Sequence, residues 1–197
     1  MALRGAALRL VSERGYDATS TDDIAREAGV SPRTFFNYFP TKESVLLLPD
    51  DFLADAVRDL MAARPVGEDP TVSIAAVTRQ VVETVVELAG TSVVSDADTL
   101  AETVRLVFAE PALRQIFLER RAAIEDVGWA ALRARGVAAD DIAARAAVSS
   151  VVSLVYLGLR IWAEGGGTEP LPDVVTRCLA AAPDPARLAA GPTAGEG

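Results

Sequence analysis

Four consecutive residues, Gly29-Val30-Ser31-Pro32, most constrain what this chain can fold into, because they end one helix and begin another with almost nothing between. A glycine just past a helical pattern suits the position that must take a positive φ. A serine followed by proline supplies a helix with its N-cap and first residue, while Val30 plugs the turn. Upstream, Ser20 or Thr21 can cap a helix whose first turn holds Asp22 and Asp23, carboxylates that suit the positive end of a helix dipole. Ile24, Ala25 and Ala28 recur at a spacing that turns them inward. The stretch STDDIAREAGVSPRTFFNYFPTKESVL, residues 20–46, therefore reads as two short helices about a tight turn, with a third helix starting at its end. This is the layout of a helix-turn-helix, whose second helix enters the major groove of DNA.

Helical periodicity recurs through the rest of the chain and strand-like alternation does not persist, so the fold class is all-α. The first helix is expected from Met1 to Arg14, with Leu3, Ala6, Ala7, Leu10 and Val11 inward. A fourth is expected from Thr41 to Ala63, with a kink or local break at Pro49. Further helices are read over Thr71–Leu88, Ala97–Ala109, Pro111–Arg135, Ala139–Glu164 and Pro172–Ala182, with loops at Arg64–Pro70 and Gly90–Asp96. Residues 183–197, rich in Pro, Gly and Ala, read as a disordered tail. The chain divides into a helix-turn-helix unit at 1–46, a helical body at 47–182 and that tail.

Composition narrows the chemistry. Histidine is absent and Cys178 is the only cysteine, which removes intrachain disulfides, cysteine zinc sites and the commonest general base. With no phosphate loop and no reactive-cysteine setting, the chain is not read as an enzyme; Asp22/Asp23 and Asp140/Asp141 sit at helix starts, where carboxylates serve the dipole. No cofactor or metal is expected. The apolar segment Val151–Leu159 is interrupted by Ser153 and followed by Arg160, so no membrane span is expected. Arg4, Arg9, Glu13 and Arg14 break any signal-peptide pattern, so the location is expected to be cytoplasmic. The net charge of −9 lies wholly outside residues 1–46, where basic and acidic groups balance. A neutral reading head on an acidic body disfavours indiscriminate DNA coating.

Residues 6–46 resemble the DNA-binding domain of the TetR family of bacterial repressors. The resemblance rests on Ala6-Ala7, Leu10, Gly15-Tyr16, Thr21, Ile24-Ala25, Ala28-Gly29-Val30-Ser31, Thr34-Phe35-Phe36, Tyr38-Phe39, Lys42-Glu43 and Leu46. It implies a three-helix DNA-binding domain followed by a helical domain for ligand binding and dimerisation. It also implies a homodimer paired through helices near 139–164 and 172–182, and a palindromic double-stranded DNA operator. TFFNYFPTKE and RLVFAEPALRQIFLERRAAIED further resemble actinobacterial members related to the mycofactocin-system regulator, which points to a small apolar ligand of the fatty acyl-CoA kind. The alternative function is a ligand-binding homodimer with weak or lost DNA binding, because Phe36 stands where the family commonly has tyrosine.

In the second motif helix Phe35 and Phe39 share the core side, leaving Arg33, Thr34, Asn37 and Tyr38 exposed. Arg33 suits guanine N7/O6 and Asn37 suits adenine, whereas Thr34 and Tyr38 offer hydroxyls to phosphate. Lys42, the chain's one lysine, is read as a phosphate contact against the alternative of a solvated surface charge. Thr21 is read as a phosphate contact or a plain N-cap. The resemblance makes Phe108, Phe117, Trp129, Tyr156 and Trp162 candidates for a ligand pocket, with Arg105 and Arg121 facing an anionic ligand or else pairing with Glu102, Glu119 or Glu125.

Overall fold

The glycine-serine-proline turn folds as its residues require. In the computed structural model, which describes residues 2–47, 50–89 and 97–181, α1 (Ala2–Arg14) leads into α2 (Thr21–Glu27) and α3 (Pro32–Tyr38). Ser20 is the cap of α2. Its hydroxyl accepts from the Asp23 amide at 3.1 Å and the Asp23 carboxylate accepts from the Ser20 amide at 3.2 Å, a reciprocal capping box. The Ser20 hydroxyl, which also donates to this carboxylate at 2.5 Å, then the Ser20 amide, then the ion pair with Arg26, hold the Asp23 carboxyl below its usual range. At the far end Gly29 takes φ 70°. The Val30 amide reaches Ala25 O at 2.9 Å and the Gly29 amide reaches Arg26 O at 3.1 Å, closing a Schellman motif. Ser31 caps α3, accepting from the Thr34 amide, with Pro32 at the first turn.

The helix expected over Thr41–Ala63 is two helices, α4 (Lys42–Leu46) and α5 (Asp50–Ala62). Leu47 is already extended (φ −95°, ψ 159°), so the break falls where a proline two residues on makes helix continuation unfavourable. Then come α6 (Pro70–Ala89), α7 (Ala97–Ala109), α8 (Pro111–Ala134), α9 (Ile142–Glu164) and α10 (Leu171–Ala180). Asp141 rather than a residue near Ala139 starts α9, its carboxylate accepting from the Ala144 amide at 2.9 Å. The loop read at Gly90–Asp96 and the tail read at 183–197 lie outside the described residues. No strand occurs among the described residues, and the molecule is all-α.

Three apolar clusters hold these helices. The first joins α1, α2, Phe35 and α4 to Leu106 and Val107 of α7 and Leu113 of α8, so buried surface runs across the boundary read at residue 46. Leu8, outside the expected stripe of α1, is buried as well. The second joins α6, α7, α9 and α10 around Trp162; the third joins α5, α6, α8 and α9 around Leu132. Where α9 crosses α10, a Cβ at Gly158 would stand 3.2 Å from the Val175 backbone, so glycine lets the two helices approach closely and a larger residue would push Val175 away by a few tenths of an ångström.

Ile142–Glu164 is, by length and composition alone, apolar enough to cross a membrane, with a mean hydropathy of 1.7. Ser153 and Arg160 do not lower the window enough. The helix packs on α6, α7, α8 and α10, while Leu157 and Ile161 remain exposed.

Candidate nucleic-acid interface and internal cavity

The outer face of α3 is built from its inner face. Phe35 is fully buried and stacks on Phe39, with ring centroids 5.9 Å apart. Anchoring there turns Arg33, Asn37 and Tyr38 outward, and Tyr38 is 73% exposed. None of the three has a partner among the described residues. Their donors and acceptors are directed to solvent on one short helix capped at its start by Ser31. Phe36 is 51% exposed beside them and meets Phe35 edge to face at 5.4 Å. An exposed phenylalanine at this place offers apolar contact and no hydroxyl. Thr34 is half-buried, and its hydroxyl lies 2.8 Å from the Ser31 hydroxyl, inside the cap. Thr21 occupies the first position of α2, half-buried, and Ser20 rather than Thr21 is the cap.

Lys42 points inward. Its ammonium donates to Tyr16 O at 2.7 Å and to Thr19 O at 2.9 Å, and it sits 3.7 Å from the Tyr16 ring centroid. Desolvation lowers its pKa, against an opposing pull from Asp17. The Tyr16 hydroxyl donates to the Glu43 carboxylate. The start of α4 is thus clamped to the turn between α1 and α2. At the other end of α4, the Arg4 guanidinium donates from Nε to Val45 O at 2.9 Å and from Nη2 to Leu46 O and Leu47 O at 3.4 Å each.

Behind this head lies a cavity of about 370 Å³ walled by α1 and α4–α10. Its lining is aliphatic, largely the valines of α6 and α9, with one aromatic group: Phe108, Phe117 and Tyr156. Tyr156 meets Phe108 at 4.9 Å and Phe117 at 5.5 Å between centroids. Arg121 stands 5.6 Å from the Tyr156 ring and donates to the Ser153 hydroxyl at 2.8 Å. Of the seven residues expected at a pocket, Phe108, Phe117, Tyr156 and Arg121 are therefore brought together, and three are not. Arg105 is exposed, with its Nε turned back to Ala101 O at 3.4 Å. Trp129 packs in the third cluster beneath Arg145. Trp162 fills the second cluster, its indole N–H donating to Glu169 O at 2.8 Å. Helix-length amphipathicity turned these side chains into other seams of the bundle. Sequence reasoning missed Arg4 and Arg120 as wall residues, and Val151 and Val175 with them. The stripe Ile74, Val77, Thr78, Val81, Val82, Val85 was the available signal for the α6 wall.

Residues 3–48 match the family of bacterial regulatory proteins known as the tetR family. The chain is similar to the HTH-type transcriptional regulator TcmR of Streptomyces glaucescens, 34% identical over 121 residues, which are 60% of this chain and 52% of TcmR. It is also similar to the HTH-type transcriptional regulator EthR of Mycobacterium tuberculosis H37Rv, 38% identical over 72 residues, 35% of this chain and 33% of EthR. The chain thus spans about half or less of the length of these curated relatives. Among solved structures, Thermus thermophilus FadR, a TetR family transcriptional repressor in complex with lauroyl-CoA, superposes with a TM-score of 0.50 at 25% identity, covering 100% of this chain and 96% of that one. The fatty acid degradation regulator FadR of Bacillus halodurans shares the fold, with a TM-score of 0.58 at 18% identity over 99% and 96% of the two chains. The head formed by α1–α4 is accordingly the part of the chain that matches the tetR family.

Proposed function

We propose that the chain is a homodimeric, cytoplasmic transcriptional repressor that binds a palindromic operator and is released by a small apolar effector. The observation that carries the DNA-binding part is α3: a capped helix anchored by Phe35 that offers Arg33, Asn37 and Tyr38, all without protein partners, to a groove. Arg33 and Asn37 have the donor and acceptor sets that read guanine and adenine, and Tyr38 can fix register on a phosphate. The aliphatic cavity supports an apolar effector, and the acyl-CoA complex of the Thermus thermophilus relative supports an acyl chain. So does the resemblance of residues 34–43 and 105–126 to regulators related to the mycofactocin system. Release follows if the effector prefers the conformation in which the two α3 helices no longer match successive grooves; its leverage equals its differential affinity for the two states. The exposed apolar residues Leu157 and Ile161 on α9 support pairing through α9 and α10 about a two-fold axis.

A mobility-shift titration on the DNA upstream of the protein's own gene tests the reading, with a scrambled-sequence control at several salt concentrations. The expected result is a sequence-specific complex that weakens steeply with salt and dissociates on addition of lauroyl-CoA. Equal affinity for both DNAs would leave the alternative, a ligand-binding dimer whose head, with Phe36, no longer reads DNA.

A further inference from the structure

The cavity is apolar in body but not neutral. Arg4, Arg120 and Arg121 line it, and among its lining residues there is no carboxylate, although the chain as a whole holds 28 acidic residues against 19 basic ones. Arg4 is the most unusual of the three. It is partly buried, its partners at Val45, Leu46 and Leu47 are neutral carbonyl oxygens, and no carboxylate among the described residues pairs with it. Burial accordingly pulls its pKa below the ordinary value with no anionic neighbour to offset the effect. Two of its three bonds are long, and Nη1 bonds to no described residue, so one edge of the guanidinium can still accept a planar anion in fork geometry.

Resting on the proposed effector cavity, we propose that its ligand is an amphipathic anion whose charged head is received by Arg4, and that this contact loosens the carboxyl end of α4. The mechanism follows from what α4 holds. This five-residue helix is tied at its start to the Tyr16–Thr19 turn through Lys42 and Glu43, and at its end to α1 through Arg4. Its last carbonyls have no partners within the helix and depend on the guanidinium. A carboxylate on the Nη1–Nη2 edge draws Nη2 from Leu46 O and Leu47 O, the two weaker bonds. The head then loses one of the ties that sets its angle on the body. A purely apolar ligand of the same length fills the cavity and leaves Arg4 where it is.

Decanoate and decan-1-ol, identical except for the head, test this on the full-length protein by calorimetric titration and by deuterium exchange of the 42–47 amides. The expected result is that decanoate binds roughly 10- to 100-fold more tightly, the span of a charge-assisted bond, and that it alone speeds exchange in 42–47. Arg4→Met should bring the two affinities together while keeping that for decan-1-ol. Should Arg4→Met fail to fold, Arg4→Lys decides: a point charge without the fork should keep a reduced preference. Equal binding of both probes to the wild type, or a preference unchanged in the Arg4 variants, overturns the role of Arg4 and leaves an apolar effector site standing. Unchanged α4 exchange with bound decanoate overturns the coupling. Saturable binding of neither probe overturns the cavity as an effector site and the proposal with it.

Discussion

Tyr38 and Lys42 have exchanged the roles their residue types suggest. An aromatic ring at helical spacing is usually core, yet Tyr38 is 73% exposed, because Phe35 and Phe39 already fill the inner side of α3. A lysine beside a DNA-reading helix is usually solvated, yet Lys42 donates to Tyr16 O and Thr19 O and covers the Tyr16 ring. Tyr38→Ala should therefore leave the circular dichroism spectrum and melting curve unchanged. It should lower operator affinity roughly 100-fold or more in a two-fold complex, where each copy loses a bond to a phosphate. Undiminished affinity would remove Tyr38 from the contact set. Lys42→Met should do the reverse: destabilise the fold by about 2 kcal/mol, the scale of hydrogen bonds made by a charged group, with the salt dependence of DNA binding unchanged. A phosphate contact would instead reduce the slope against log salt by about 1 per lysine lost, so one titration separates the two roles.

The short helices owe their limits to local chemistry, which is why they were legible before any tertiary contact was known. Ser20 with Asp23, Gly29, and Ser31 with Pro32 each act within a few residues, and the structure uses all of them. Pro49 likewise announced a discontinuity between α4 and α5. The cavity was only half legible. Phe108, Phe117 and Tyr156 come from three helices, and nothing local says that they meet while Trp129 and Trp162 turn to other seams. Arg4 was illegible as a wall residue, since its role depends on α4 lying across the base of α1. The loop between α5 and α6 carries a further device that sequence alone did not reveal. Glu68 accepts from Arg64 at 2.8 and 2.5 Å and from the buried Ser73 hydroxyl at 2.7 Å. The Arg64 bond first, then Ser73, depress its pKa from 4.5 to about 2. A depressed carboxylate contributes stability above its unfolded pKa and loses it as pH falls through the folded value. Thermal melts from pH 6 to pH 2 should therefore show wild type losing more stability than Glu68→Gln below about pH 4.5, and the two curves should run parallel above pH 5.5. Parallel curves throughout would mean that the loop contributes no pH-linked stability.

Taken as one body, the molecule leaves part of the apolar surface of α9 exposed within a single chain. Only 17% of the 18-residue window of α9 that qualifies as membrane-like is fully buried; Val151, Val152, Val155 and Leu159 are half-buried against the cavity, and Leu157 and Ile161 are exposed. Yet the helix is fixed in the bundle by Trp162, Ala163, Val148 and the close crossing of Gly158 on Val175. A helix held by one face and apolar on the other needs a partner of the same kind. Leu157 and Ile161 stand on that outer face, four residues apart and both exposed. A second copy, brought up about a two-fold axis, would cover them in both chains at once and set two α3 helices at a fixed distance. The double variant Leu157→Glu, Ile161→Glu should therefore sediment as a monomer where wild type sediments as a dimer, because four carboxylates would be forced together in one apolar seam. Its helicity should be retained, since neither side chain belongs to the three clusters. Operator affinity should fall by about 100-fold or more, the loss expected when two half-sites are no longer held by one linked pair of heads. A double variant that remains dimeric would move the interface off α9, and the exposed stripe would then need another occupant.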